Sequence, residues 1–196
     1  MTDLTRRQAL GALGAAAAGG AFACGPADVD RAAREAEKAR AAGFTPRFFT
    51  PDELATATLL ADLVLPRDER SGSASDAAVP EFLDFVLAEE MTDPVRIRGG
   101  LGWLDRECLD RFGRRFSACT DPERAAVLDD IAWPAKSRPE HSQGVAFFTA
   151  FRDLVAGGFW SSKAGVEDLG YRGNVALPEW TGCPDEQLRR LGVSYS

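Results

Sequence analysis

Residues 145–158 read Val-Ala-Phe-Phe-Thr-Ala-Phe-Arg-Asp-Leu-Val-Ala-Gly-Gly, and their spacing decides the fold class. Val145, Phe148, Phe151, Leu154 and Val155 recur every three or four residues, so a helix gathers them on one face. A strand would divide the same residues between both faces, because its side chains alternate. Gly157-Gly158 supplies a C-terminal break, which predicts that the helix stops there.

The flanking sequence repeats this helical signal. Thr50-Pro51-Asp52-Glu53 has the form of a capping box: a hydroxyl at the cap, Pro in the first turn, and Glu three residues after Thr. The helix it opens should bury Leu54, Leu59, Leu60, Leu63 and Val64, and end before Pro66. Residues 67–79, rich in Ser and Asp, read as a loop. Pro80 then begins a helix with Phe82, Leu83, Phe85, Val86 and Leu87, and another is expected over residues 100–112. Thr120-Asp121-Pro122-Glu123 repeats the cap-then-Pro device for a helix that ends at Trp133-Pro134. Residues 185–191 form a short last helix, and residues 159–184 read as irregular. No run alternates β-branched and polar residues as a half-buried strand would. The expected fold is all-α: one compact domain (residues 44–196) of about five to six helices, with an irregular, aromatic-rich C-terminal segment. Residues 28–42, rich in Ala, Arg and Glu, have little apolar periodicity, so residues 24–43 read as a tether or solvated polar helix.

Residues 1–23 have the layout of an export signal. Arg6 and Arg7 precede an apolar run over residues 9–22, and Ala21-Phe22-Ala23 is a small-x-small cleavage site. That run is shorter than the roughly 20 residues that span a bilayer. Thr5, Arg6, Arg7 and Leu10 fit a twin-arginine signal, whereas Ala9 and Gly11 depart from its usual Phe and Lys. An ordinary secretion signal with two adjacent arginines is the alternative; the weakly hydrophobic, Gly-rich run favours the twin-arginine reading. Cys24 directly follows Ala23 and is a candidate for lipid modification, although Ala21 and Phe22 depart from a lipobox. The expected location is periplasmic, with a membrane anchor if Cys24 is lipidated.

Composition narrows the chemistry. The 196 residues carry 30 Asp+Glu, 23 Lys+Arg and one His, a net charge of −7. Phosphate backbones demand clustered cations, so nucleic acid is a poor partner. One His and no Cys-x-x-Cys-His exclude a c-type haem attachment and argue against most zinc sites. His141 has neither a Gly-x-Ser-x-Gly elbow nor a Cys-His signature beside it, so it is expected at the surface or at a helix cap. The acidic doublets Glu89-Glu90, Asp129-Asp130 and Glu167-Asp168 could pair carboxylates for hydrolysis. Adjacent residues point to different helix faces, however, so solvated surface is the expected reading. Gly99-Gly100-Leu101-Gly102 lacks the third glycine of a dinucleotide fingerprint. No residues present themselves as catalytic, metal-binding or cofactor-binding.

Four cysteines in an exported chain suggest disulfides. The helix carrying Cys108 should end near Gly113, and the residues after it can fold back over roughly 7–8 Å of helix to bring Cys119 alongside. A Cys108–Cys119 bridge is the preferred pairing, and a buried core thiol at Cys108 is its alternative. With Cys24 in the signal or at its edge, Cys183 is then odd: either free or bonded to another chain. Aromatic residues concentrate in the last third, at Phe147, Phe148, Phe151, Phe159, Trp160, Tyr171 and Trp180. They either fill the chain's own core or serve an interface, where exposed aromatics are enriched.

Phe147-Phe148, Phe151-Arg152-Asp153-Leu154, Gly158-Phe159-Trp160-Ser161, Gly170-Tyr171-Arg172-Gly173-Asn174 and Trp180-Thr181-Gly182-Cys183-Pro184 together resemble the gluconate 2-dehydrogenase subunit 3 family. Residues 61–66 and 79–85 resemble its early helices, so the likeness extends over roughly residues 48–184. It implies a non-catalytic small subunit that binds, stabilises and escorts through export a large FAD-containing subunit of the glucose–methanol–choline oxidoreductase type. A c-type cytochrome subunit often joins the pair. The FAD belongs to that partner, and no cofactor is implied for this chain. The partner interface expected on this reading comprises Phe159, Trp160, Tyr171, Asn174, Trp180 and Cys183. The alternative is a free-standing periplasmic lipoprotein or binding module that holds a ligand on its aromatic tail. Substrate does not follow from the likeness.

Overall fold

A computed structural model of the chain describes residues 25–171 and 182–195. Among the described residues there are eight α-helices and no strand, so the fold is all-α. They are α1 (Pro26–Ala41), α2 (Pro51–Val64), α3 (Val79–Ala88), α4 (Pro94–Phe112), α5 (Asp121–Ala132), α6 (Ser142–Ser161), α7 (Lys163–Asp168) and α8 (Asp185–Leu191). Single 3-10 turns precede α5 (Phe116–Ala118) and α6 (Pro139–His141).

The 145–158 stretch lies in α6, the axis of the bundle, which packs against α1, α2, α3, α4, α5 and α7. Phe147, Phe148, Phe151, Leu154, Val155 and Phe159 are buried along it, as the apolar period requires. They meet Phe82, Leu83, Val86 and Leu87 of α3, and Ile97, Leu101 and Leu104 of α4, in one contiguous core.

Both Thr-Pro-Glu caps engage their glutamate, the first as a full capping box. Thr50 Oγ1 accepts from the Glu53 N–H while Glu53 accepts from the Thr50 N–H; at the second, the Glu123 carboxylate accepts both the N–H and the hydroxyl of Thr120, at 2.7 and 3.0 Å. The segment leading into α2 is held from across the bundle. The Asp84 carboxylate on α3, itself buried, accepts the backbone N–H groups of Arg47, Phe48 and Phe49 at 2.8, 2.9 and 3.0 Å. Asp62 similarly takes the N–H and hydroxyl of Ser75, fixing the loop before α3.

The structure departs from the expected elements in specific ways. α6 runs through Gly157-Gly158 to Ser161, because Gly158 is where Phe82 approaches; a Cβ there would lie 2.7 Å from the Phe82 ring. Burial of that contact outweighs the poor helix propensity of glycine. α4 begins at Pro94 rather than near residue 100, since Asp93 caps it through the Arg96 N–H at 3.0 Å. α1 is not solvated on all sides: Ala32, Ala33 and Ala36 form a small-residue stripe that docks on α3 and α6. On α2 the buried face comprises Thr56, Ala57, Leu60 and Ala61, while Leu63 stays exposed. α7 is cut from the segment read as irregular, and with α1 it raises the helix number above five or six.

Candidate partner surface

A tight corner joins α6 to α7. Ser162 donates its hydroxyl to the Phe159 carbonyl at 2.7 Å and accepts the Gly165 N–H at 3.1 Å, ending one helix and capping the next. Gly165 sits so close that a Cβ would lie 2.1 Å from the Phe159 carbonyl oxygen, so no side chain fits. Two other elements pin the corner. Arg70 donates to the Asp168 carbonyl at 2.6 Å and pairs with its carboxylate at 3.2 Å, and Glu37 of α1 accepts the Lys163 N–H at 3.4 Å. The result is a rigid ledge presenting Trp160, Leu169 and Tyr171 at 38%, 59% and 59% exposure.

The residues expected at an interface therefore divide. Trp160 and Tyr171 are on the surface. Phe159 is a correction: it is buried at 2% exposure, because the α6 period carries it inward with Val155, and its ring stands perpendicular to that of Trp160 with centroids 4.9 Å apart. Asn174 and Trp180 lie outside the described residues, as do Arg6, Arg7 and Cys24. Cys183 is half-buried, its N–H donating to the Tyr195 hydroxyl. Leu169 belongs to the ledge although no motif marked it; the αL glycine that follows, Gly170 at φ +64°, was its one local signal of a helix end. Trp133 is 62% exposed at the end of α5, under the Lys136 ammonium, where Trp-Pro had marked only a helix stop.

His141 stands at the N-cap of α6, one of its two expected places. The surface reading is corrected: the side chain is buried, its ring edge-on to Trp103 with centroids 6.2 Å apart, and its Nδ1 has no hydrogen-bond partner. Trp103 reaches it because Gly144 leaves room; a Cβ there would lie 2.6 Å from the indole. Among the described residues no carboxylate hydrogen-bonds that Nδ1, the contact that orients a catalytic histidine.

Each acidic doublet is engaged by an arginine. Glu89 pairs with Arg47 at 2.9 Å, Asp130 with Arg111 at 2.7 Å, and Asp168 with Arg70. An open groove of about 600 Å³ lies between the α2 approach and α4, lined by Arg47, Phe48, Leu87, Glu90, Val95 and Arg98. Its cations are already committed: Arg98 stacks on Phe48 at 4.1 Å, donates to the Phe48 carbonyl at 2.6 Å and pairs with Glu53 at 3.0 Å. Among the described residues no three metal-ligating side chains converge, and no helix is long and apolar enough to cross a membrane. Cys108 and Cys119 are free thiols, both buried.

What stands out is thus a helical platform with a rigid, partly aromatic edge, a type of surface that proteins use for one another. The sequence profile of the gluconate 2-dehydrogenase subunit 3 family matches residues 51–178, and the chain belongs to that family. The match runs from the first capping box through the α6–α7 corner. Searches of curated proteins and of solved structures return no match.

Proposed function

We propose that this chain is a non-catalytic small subunit that binds, stabilises and escorts through export a large FAD-dependent sugar or alcohol dehydrogenase subunit. The observation that carries the reading is family membership, since the family is defined as a subunit of a multi-subunit dehydrogenase. The rigid ledge of Trp160, Leu169 and Tyr171 supports it by offering desolvatable aromatic area on a backbone that need not reorder on binding. Redox chemistry then rests with the partner's flavin, and a c-type cytochrome subunit would carry electrons onward.

The twin-arginine pattern at Arg6 and Arg7 suits an escort, because that route moves folded proteins and a cofactor-loaded partner can travel with the signal-bearing chain. The periplasm is the destination on this reading, and a lipid on Cys24 would hold the complex at the membrane. Native purification on a C-terminal tag tests the proposal. A large chain with flavin absorbance should co-elute, and replacing both Arg6 and Arg7 by Lys should leave both chains in the cytoplasm. Recovery of this chain alone from its native host would overturn the subunit reading in favour of a free-standing module.

A further inference from the structure

Where α1 ends against α3, the two helices and the chain between α1 and α2 border a cleft of about 230 Å³. α1 contributes Glu35 and Ala39, one turn apart, and α3 contributes Glu81, Asp84 and Phe85, which the helical period puts on one side. Gly43, at φ +83°, turns the chain out of α1, and Phe44, Thr45 and Arg47 complete the lining. Glu35 to Arg47 precede the matched residues 51–178, so family membership does not imply this cleft.

Three carboxylates and one guanidinium line the cleft, and all but one of these groups are engaged within the chain. Glu35 pairs with Lys38 at 2.7 Å, and the Arg47 guanidinium turns to Glu89 at 2.9 Å. Asp84 is taken up by the three backbone N–H groups before α2. Arg31, whose guanidinium carbon stands 6.0 Å from the centre of the Phe85 ring, pairs with Asp28 at 3.6 Å. Glu81 is the exception. It is half-buried, and its Oε2 is closed to solvent with no hydrogen-bond partner. A buried carboxylate oxygen without a donor is costly, and native proteins keep few such groups.

We propose that this cleft is a binding site for an alkylguanidinium, an arginine-like cation whose head pairs with Glu81 and whose stem lies along Phe44, Phe85 and Ala39. A guanidinium suits the place because its planar fork matches a carboxylate and it is more weakly hydrated than an ammonium, so partial burial costs it less. Aromatic and alanine walls then cover the apolar stem. Drug-sized ligands occupy roughly 300–1,000 Å³, so the smaller volume here fits one such group. A metal ion is not accommodated, because among the described residues no three ligating side chains converge. Two sources carry this head group: an arginine side chain of a partner protein, and a small free guanidinium compound. The chemistry at Glu81 is the same for both.

n-Butylguanidinium is the probe, titrated into the purified, isotope-labelled full-length chain and followed in amide correlation spectra. Saturable shifts are expected at Gly43, Phe44, Thr45 and Glu81, and none with n-butylurea, its neutral counterpart. Glu81→Gln should weaken binding at least about tenfold, the worth of one charge-assisted hydrogen bond. Glu35→Gln removes a carboxylate that already holds Lys38, so its binding should stay within about twofold of the unaltered chain. Absence of saturable shifts, equal binding of n-butylurea, or equal losses in the two variants overturns the proposal. The first two comparisons use the unaltered chain, so they decide the matter whether or not the Glu81 variant folds. Native purification then separates the sources. Release of a co-eluting protein by n-butylguanidinium assigns the cation to a partner's arginine, and retention of that protein assigns it to a small free compound. Probe binding needs no partner, so its failure leaves the subunit reading standing.

Discussion

Truncating Asp84 to Ala would strand three backbone donors that now share its carboxylate, those of Arg47, Phe48 and Phe49. Unmet buried donors are expensive, and here the acceptor is a carboxylate, so a loss of about 3 kcal/mol is expected in urea unfolding. Asp84→Asn keeps one oxygen and should lose less. Nothing in residues 79–88 sets Asp84 apart from the surface acids, because its partners lie more than thirty residues earlier in the chain. Glu90 offers an opposite case. It follows α3 at φ +52°, with the Met91 N–H bonded to the Val86 carbonyl at 2.9 Å, in the position where helices favour glycine. Its side chain is exposed, so Glu90→Gly should raise stability by about 0.5–1 kcal/mol, read as a higher urea midpoint at unchanged slope.

Helix starts were plain in the sequence because caps are local chemistry: Thr50 and Thr120 both cap their helices and engage the glutamate three residues on. They also set a pH response. Hydrogen bonds from Thr120 hold Glu123 below its ordinary value of 4.5. Burial alone would raise Glu53, but hydrogen bonds from Thr50 and the Arg98 guanidinium outweigh it and also leave Glu53 low. A carboxyl whose folded value is depressed adds stability that is complete above its unfolded value and disappears as pH falls through the folded one. Stability should therefore decline from about pH 5 toward pH 3, and Glu53→Ala with Glu123→Ala should flatten that slope in pH-dependent urea titrations. Helix ends and crossings were less legible. At the α4–α6 crossing, Gly100 admits the Phe147 ring so closely that a Cβ would lie 1.9 Å from it. Gly100→Ala should accordingly lose at least about 2–3 kcal/mol in thermal or urea unfolding, although it improves local helix propensity. Gly158 against Phe82 is the same device, and it explains why α6 passes through a glycine pair that reads as a terminus.

For the chain as a unit, the informative contrast is between folding and association. Trp160→Ala with Tyr171→Ala touches partly or largely exposed side chains and should change stability by about 0.5–1 kcal/mol at most. If the α6–α7 ledge meets the large dehydrogenase subunit, the same pair should abolish co-purification of that subunit, as judged by flavin absorbance in the eluate. Retained flavin would place the interface elsewhere. Residue order alone was enough for the all-α class, the capped helices, the α6 core stripe and the family, because periodicity, caps and motif spacing are short-range or strictly sequential properties. Which aromatics face inward was not accessible that way: Phe159 and Trp160 are adjacent, yet one is core and the other ledge. Nor were the docking of α1 or the burial of His141. Those depend on how helices cross and where a glycine or a buried carboxylate lets distant segments approach, and such contacts form only when the whole chain has packed.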